Sequence, residues 1–229
     1  MAIFFTFPKG GVTIIRNTCI DYCEENNLNY VNFNDENFNE DLLDADCVQI
    51  ENYGQYLFLP NIPKSVAILR DPRDILVSAY HYFKNLPSNE NLNFYSQLYT
   101  KLTVRQCILE NKDDYIFWYH QYKYYFAEMY NLLMSADKNL ICIRFENLCE
   151  KNTYKETWHK IENWIELPKF KIYGIMNSPC DDRFIANSHV RSAKSQQWLD
   201  HIPVDQLEKI EHKLERLLNI LDQHCPIVK

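Results

Sequence analysis

Two kinds of hydrophobic pattern alternate along this chain. Short runs in which nearly every position is apolar, "AIFFTFP" (2–8), "SVAILR" (65–70) and "NLICIRF" (139–145), have the length and β-former content of buried strands. "NYVNF" (29–33) and "DCVQIE" (46–51) are two further strand candidates. Between these runs the apolar residues recur at three- and four-residue steps. Ile15, Cys19, Tyr22 and Cys23 do so directly after the first strand, with Arg16, Asp21 and Glu24 off that face. "PRDILVSAYHYFK" (72–84) opens on a proline suited to a first helical turn, and "YIFWYHQYKYYFAEMYNLLM" (115–134) is a long aromatic helix. Near the end, Leu207, Ile210, Leu214, Leu217, Leu218 and Leu221 mark a helix packed by one face. The alternation predicts an α/β fold: a single domain spanning 1–229, with a central, mainly parallel sheet flanked by helices. "NDENFNEDLLDAD" (34–46) and "KNLPSNENLNF" (84–94) are expected to be surface loops.

Composition narrows the function. A net charge of −7 argues against a general nucleic-acid binder, so an anionic ligand would need a local basic pocket. The eight cysteines include no CxxC pair and sit mostly in apolar runs, which reads as buried free thiols and no metal site. The N-terminus has no basic region followed by an apolar stretch, and no run approaches bilayer length. A cytoplasmic protein with no membrane partner is expected.

Candidate chemistry begins at the glycines. The chain has only four, and two of them, Gly10 and Gly11, stand together in "FFTFPKGGVTII" (4–15). A strand feeding a glycine loop and then a helix offers unpaired amides and a favourable dipole to an anion. Lys9 adds a charge and Thr13 a hydroxyl. The pattern GxxxxGK[ST] is absent, because the lysine precedes the glycines, and alone this stretch reads equally well as a plain turn. A second stretch, "ILRDPRDILVSAYHYFK" (68–84), places Arg70 at a strand end and Ser78 about two turns into the next helix.

Together these stretches resemble the PAPS-dependent sulfotransferase family, whose first motif reads PKSGTTW and whose second reads R-[DN]-P-x-D-x-x-x-S-x-Y. The first stands here as Pro8-Lys9-Gly10-Gly11-Val12-Thr13, and the second matches at Arg70, Pro72, Asp74, Ser78 and Tyr80. "ICIRFENL" (141–148) is similar to a late family strand ending in a Y-E-D-L type segment. "VRSAKSQQW" (190–198) keeps Arg191 and Trp198 of a C-terminal RKGxxGDW motif. The resemblance implies a P-loop-like sulfotransferase architecture, with PAPS as co-substrate, PAP as product and no metal. It implies that Lys9, Gly11 and Thr13, with Gly10 and Val12 in the same loop, hold the 5′-phosphosulfate. Arg70, Ser78 and Arg191 would hold the 3′-phosphate, and Phe145 stands at a nucleotide-site position that is a tyrosine in many members. The chain departs from the family at Val12, Ile14 and Phe145, and at Ser192, Ala193, Gln196 and Gln197.

Sulfuryl transfer needs in-line alignment, a counter-charge for the leaving phosphate and a base for the acceptor proton. Lys9 suits the second task, with Ser78 holding it off until an acceptor binds, as the resemblance implies. The K-T-H stretch that carries the base in many members is missing. "CVQIENYG" (47–54) offers Glu51 instead, with His120 in the aromatic helix as the alternative and Glu36 as a third candidate. His81 is expected to pack beside its helix. "KLTVRQCILE" (101–110) has the wrong position and spacing for a family dimer motif, so the oligomeric state is left open, a homodimer included. Two function classes remain: a sulfotransferase acting on a hydroxyl or amine of a small-molecule acceptor, and a non-catalytic PAP-binding or scaffold protein. A nucleotide kinase is a distant third.

Overall fold

The computed structural model of the protein describes residues 1–32, 45–51, 63–84, 114–135, 137–180 and 196–228. Five strands are described: β1 (Ala2–Thr6), β2 (Tyr30–Asn32), β3 (Cys47–Ile50), β4 (Ser65–Leu69) and β5 (Leu140–Arg144). They form one sheet in the order β2-β3-β1-β4-β5, and every pairing is parallel. β1 is central, with Ile3 opposite Val48 on one side and Ser65 on the other.

Alternate residues of these strands enter two separate cores, which explains runs apolar at every position. Ile3, Phe5, Val48, Ile50, Ala67 and Leu69 face α2 (Pro72–Lys84), α3 (Tyr115–Met134) and α8 (Val204–His224). Phe4, Cys47, Val66, Ile68 and Ile143 face α1 (Val12–Asn26), α5 (Tyr154–Ile165) and α6 (Phe170–Met176). The result is three layers with a double-sided sheet. β5 departs from the expectation of cover on both faces: it is an edge strand, and its first three residues are only half-buried.

The helices predicted at 72–84 and 115–134 have those bounds, and the last helix buries Ile210, Leu214, Leu217 and Leu221. Three shorter elements had no counterpart in the sequence reading: α4 (Phe145–Cys149), α6 and α7 (Trp198–His201). α5 was also missed, although Tyr154, Trp158, Ile161 and Ile165 carry the spacing that would have found it.

Cys19, Cys23, Cys47, Cys149 and Cys225 are buried and unbridged, and Cys142 and Cys180 are half-buried. A hydrogen bond with Cys47, then burial, pushes the Cys23 thiol well above its ordinary range, so it remains a neutral packing group. No described helix is long and apolar enough to cross a membrane. Glu36 and the segments 84–94 and 101–110, apart from the backbone of residue 84, lie outside the described residues.

Candidate active site

Parallel strands present all their carboxyl ends at one edge of the sheet, and the candidate residues leave the strands there. β1 runs into Phe7-Pro8-Lys9-Gly10-Gly11, β3 into Glu51, β4 into Arg70 and β5 into Phe145.

The glycine loop is a tight turn. The Gly10 amide donates to the Phe7 carbonyl at 2.7 Å, Lys9 takes φ 65° and Gly11 takes φ 109° as the N-cap of α1. Gly11 is required twice over. Its φ is one that L side chains rarely adopt, and a Cβ there would come within 2.7 Å of the Phe145 ring. With Gly11 capping, the first amides of α1, at Val12 and Thr13, point out of the helix end with no intrahelical acceptor. The loop is tied to the sheet by Gln49, a fully buried side chain that donates to Thr6 Oγ1 at 2.9 Å and to the Val12 carbonyl at 3.2 Å. Tyr30 donates its hydroxyl to Gln49 Oε1. A lone glutamine inside the apolar run "CVQIE" was the sequence signal for this anchor, and it went unread.

Arg70 is 4% exposed. Its Nη1 donates to the Lys9 carbonyl at 3.0 Å, and its guanidinium lies 4.8 Å from the centre of the Phe145 ring. Its Nε and Nη2 are buried with no hydrogen-bond partner among the described residues. Unpaired N–H groups on a buried cation are expensive, and a buried guanidinium with such donors is suited to an anionic partner. The position of Arg70 is fixed from the next residue: the Asp71 amide donates to Glu146 Oε1, and Glu146 Oε2 accepts from Arg144 Nε in a pair almost wholly buried. Phe145 thus fills the gap between Gly11 and Arg70.

Lys9 directs its ammonium onto Tyr82 of α2, 3.1 Å from the ring centre and one turn beyond the half-buried Ser78. Burial first, and then the charge of Arg70, bring its pKa down to about 8, with Glu51 opposing them. Glu51 accepts from Arg16 of α1 at 3.1 Å. Tyr125 of α3 lies close enough that Glu128 and Glu51, after burial, hold its phenol above the ordinary range. Lys9, Arg70 and Glu51 are therefore one electrostatic group. His120 is not drawn into it: it is exposed on α3, with its ring against Tyr119. His81 packs edge-on against Tyr80 and His201, as expected. Arg191 lies outside the described residues.

The family described as "Sulfotransferase domain" matches residues 5–221. The chain belongs to the sulfotransferase family. A mouse sulfotransferase crystallised in complex with PAP is similar to it in fold, with 16% identity, a TM-score of 0.55, and 97% of this chain and 88% of that chain covered. No curated protein matches the chain.

The second motif and the C-terminal motif meet in this structure at Asp74. The buried Asp74 carboxylate accepts from the Gln196 amide at 2.8 Å and from the Trp198 amide at 3.2 Å, while the Arg73 guanidinium lies 3.8 Å from the centre of the Trp198 ring. Burial is the main reason its pKa rises to about 6; Asp71 and Glu146 add to this, and Arg70 and the Gln196 amide oppose it. Gln196 stands where many members have glycine, and it takes φ 58°, in the left-handed region. Gln196→Gly should therefore stabilise the fold by about 0.5 to 1 kcal/mol, read as a rise in thermal midpoint of about 1–4 °C. An unchanged or lower midpoint would show that the Asp74 clamp does not hold this conformation. Ile14, at the position of a family tryptophan, is 4% exposed and packed in the core around α1, so it presents no open face for a base to stack on.

Proposed function

We propose that the chain transfers a sulfuryl group from PAPS to a hydroxyl or amine of a small acceptor. The observation that carries this reading is Arg70, buried beside the glycine loop, whose Nε and Nη2 have no hydrogen-bond partner among the described residues. A guanidinium so placed suits a phosphate, to which it can give two parallel hydrogen bonds.

The residues fit the donor at both of its anionic ends. The outward amides of Val12 and Thr13, reached closely past Gly10 and Gly11, would take the 5′-phosphate. Arg70, with Ser78 and Arg191, would take the 3′-phosphate. When bound, PAPS supplies the sulfuryl group and a phosphate leaving group. Lys9 is the mobile charge that neutralises the leaving oxygen as it becomes anionic. Glu51 receives the acceptor proton, and Arg16 fixes the aim of its carboxylate. Phe145 packs its ring against both Gly11 and Arg70.

Transfer from radiolabelled PAPS onto phenols, sterols, sugars and amines tests the reading. Labelled product that depends on Lys9 is expected. Tight PAP binding with no transfer to any acceptor class would favour a non-catalytic nucleotide-binding protein.

A further inference from the structure

Lys9 has no carboxylate close by among the described residues. Among the described residues none lies within ion-pair distance of it; the charged groups that face it are Arg70, whose charge repels its own, and Glu51, already paired with Arg16. Among the described residues, the electron-rich group it meets closely is the face of Tyr82, whose ring centre lies 3.1 Å from the ammonium. A cation over an aromatic face is attracted by the ring quadrupole, most strongly where water is excluded.

We propose that Tyr82 is a positioning residue of the transfer site, whose ring face keeps Lys9 charged and held between Arg70 and Glu51. Lys9 stands in a place that favours loss of its proton, since burial and a neighbouring guanidinium both act against the ammonium. The ring acts in the opposite sense and cannot itself take the proton. A carboxylate in the same position would keep the charge but neutralise it before any leaving group did. The aromatic face keeps the charge available. Tyr82 lies four residues, about one helical turn, beyond Ser78 on α2. The inference rests on the reading of Lys9 as the counter-charge for the leaving phosphate.

The test is the proton affinity of Lys9, measured by competitive acetylation with acetic anhydride from neutral to alkaline pH and read by mass spectrometry of the Lys9 peptide. It needs neither nucleotide nor turnover. Tyr82→Phe keeps the ring face and should titrate with the wild type, near the value of about 8. Tyr82→Leu, or Tyr82→Met should the leucine variant fail to fold, should titrate about one pH unit lower. The same variants should lose kcat at neutral pH and recover part of it at lower pH, with donor KM unchanged. If Tyr82→Leu titrates with or above the wild type, or Tyr82→Phe behaves like Tyr82→Leu, the proposal is overturned. A downward shift with no effect on kcat would leave the Tyr82 contact standing and remove the transfer role of Lys9 instead.

Discussion

Lys9→Ala is expected to lower kcat for sulfuryl transfer by on the order of a hundredfold or more while leaving PAP affinity close to that of the wild type. The two effects separate because different atoms carry them. The 5′-phosphate would be held by backbone amides at the head of α1, which the substitution leaves in place, and Gly11 keeps the loop in its conformation. The ammonium is needed only as charge develops on the leaving oxygen. The same argument sets a pH dependence. With its pKa brought down to about 8 by burial and by Arg70, Lys9 loses its charge as pH rises through that value, so wild-type turnover should fall on the alkaline side of about 8. In Lys9→Ala this limb should disappear. A variant with unchanged kcat and weakened PAP binding would make Lys9 a binding residue only.

Glu51→Gln should lower kcat by about a hundredfold to ten-thousandfold, the range that a general base contributes, with little change in PAP affinity. The substitution keeps the shape of the side chain and can keep a hydrogen bond from Arg16, which contacts Glu51 Oε1 at 3.1 Å, but it removes the basic oxygen. The case for Glu51 over His120 is one of place. Glu51 follows the carboxyl end of β3, within electrostatic reach of Lys9 and of Tyr125, whereas His120 is exposed on α3. The controlling comparison is His120→Ala, measured with the same acceptor. Were Glu51→Gln active and His120→Ala inactive, the acceptor site would have to be redrawn around the aromatic helix.

What could be read in the sequence was governed by local chemistry. The doubly buried strands announced themselves because residues on both faces of a covered sheet must be apolar, and the glycine pair did so because a Cβ at Gly10 would meet the Phe7 carbonyl at 2.9 Å, while at Gly11 a positive φ and the Phe145 ring leave no room for one. Arg70 and Lys9 stood out through their place at strand ends. The supporting contacts were hidden, because each joins residues far apart in the chain. Gln49 braces Thr6 and Val12 from a strand more than thirty-five residues on. Asp74 receives the amides of Gln196 and Trp198, and Glu146 fixes Asp71, neither of which has any spacing to read. Tyr82 was visible only as one more aromatic in "SAYHYFK"; that its ring faces Lys9 follows from how α2 leaves β4 beside the glycine loop.

The account's central claim is that the carboxyl edge of the sheet is built for a nucleotide carrying phosphate at both its 5′ and 3′ positions, and calorimetric titration of the protein with PAP and with AMP tests it most directly. Arg70 has two buried donors without partners among the described residues, and a charge-assisted bond to phosphate contributes about 1.5 to 3 kcal/mol, so PAP should bind about tenfold to a hundredfold more tightly than AMP. Arg70→Met should remove most of that difference, leaving what Ser78 and Arg191 contribute, with AMP affinity nearly untouched. Equal affinity of the wild-type protein for the two nucleotides would contradict the account.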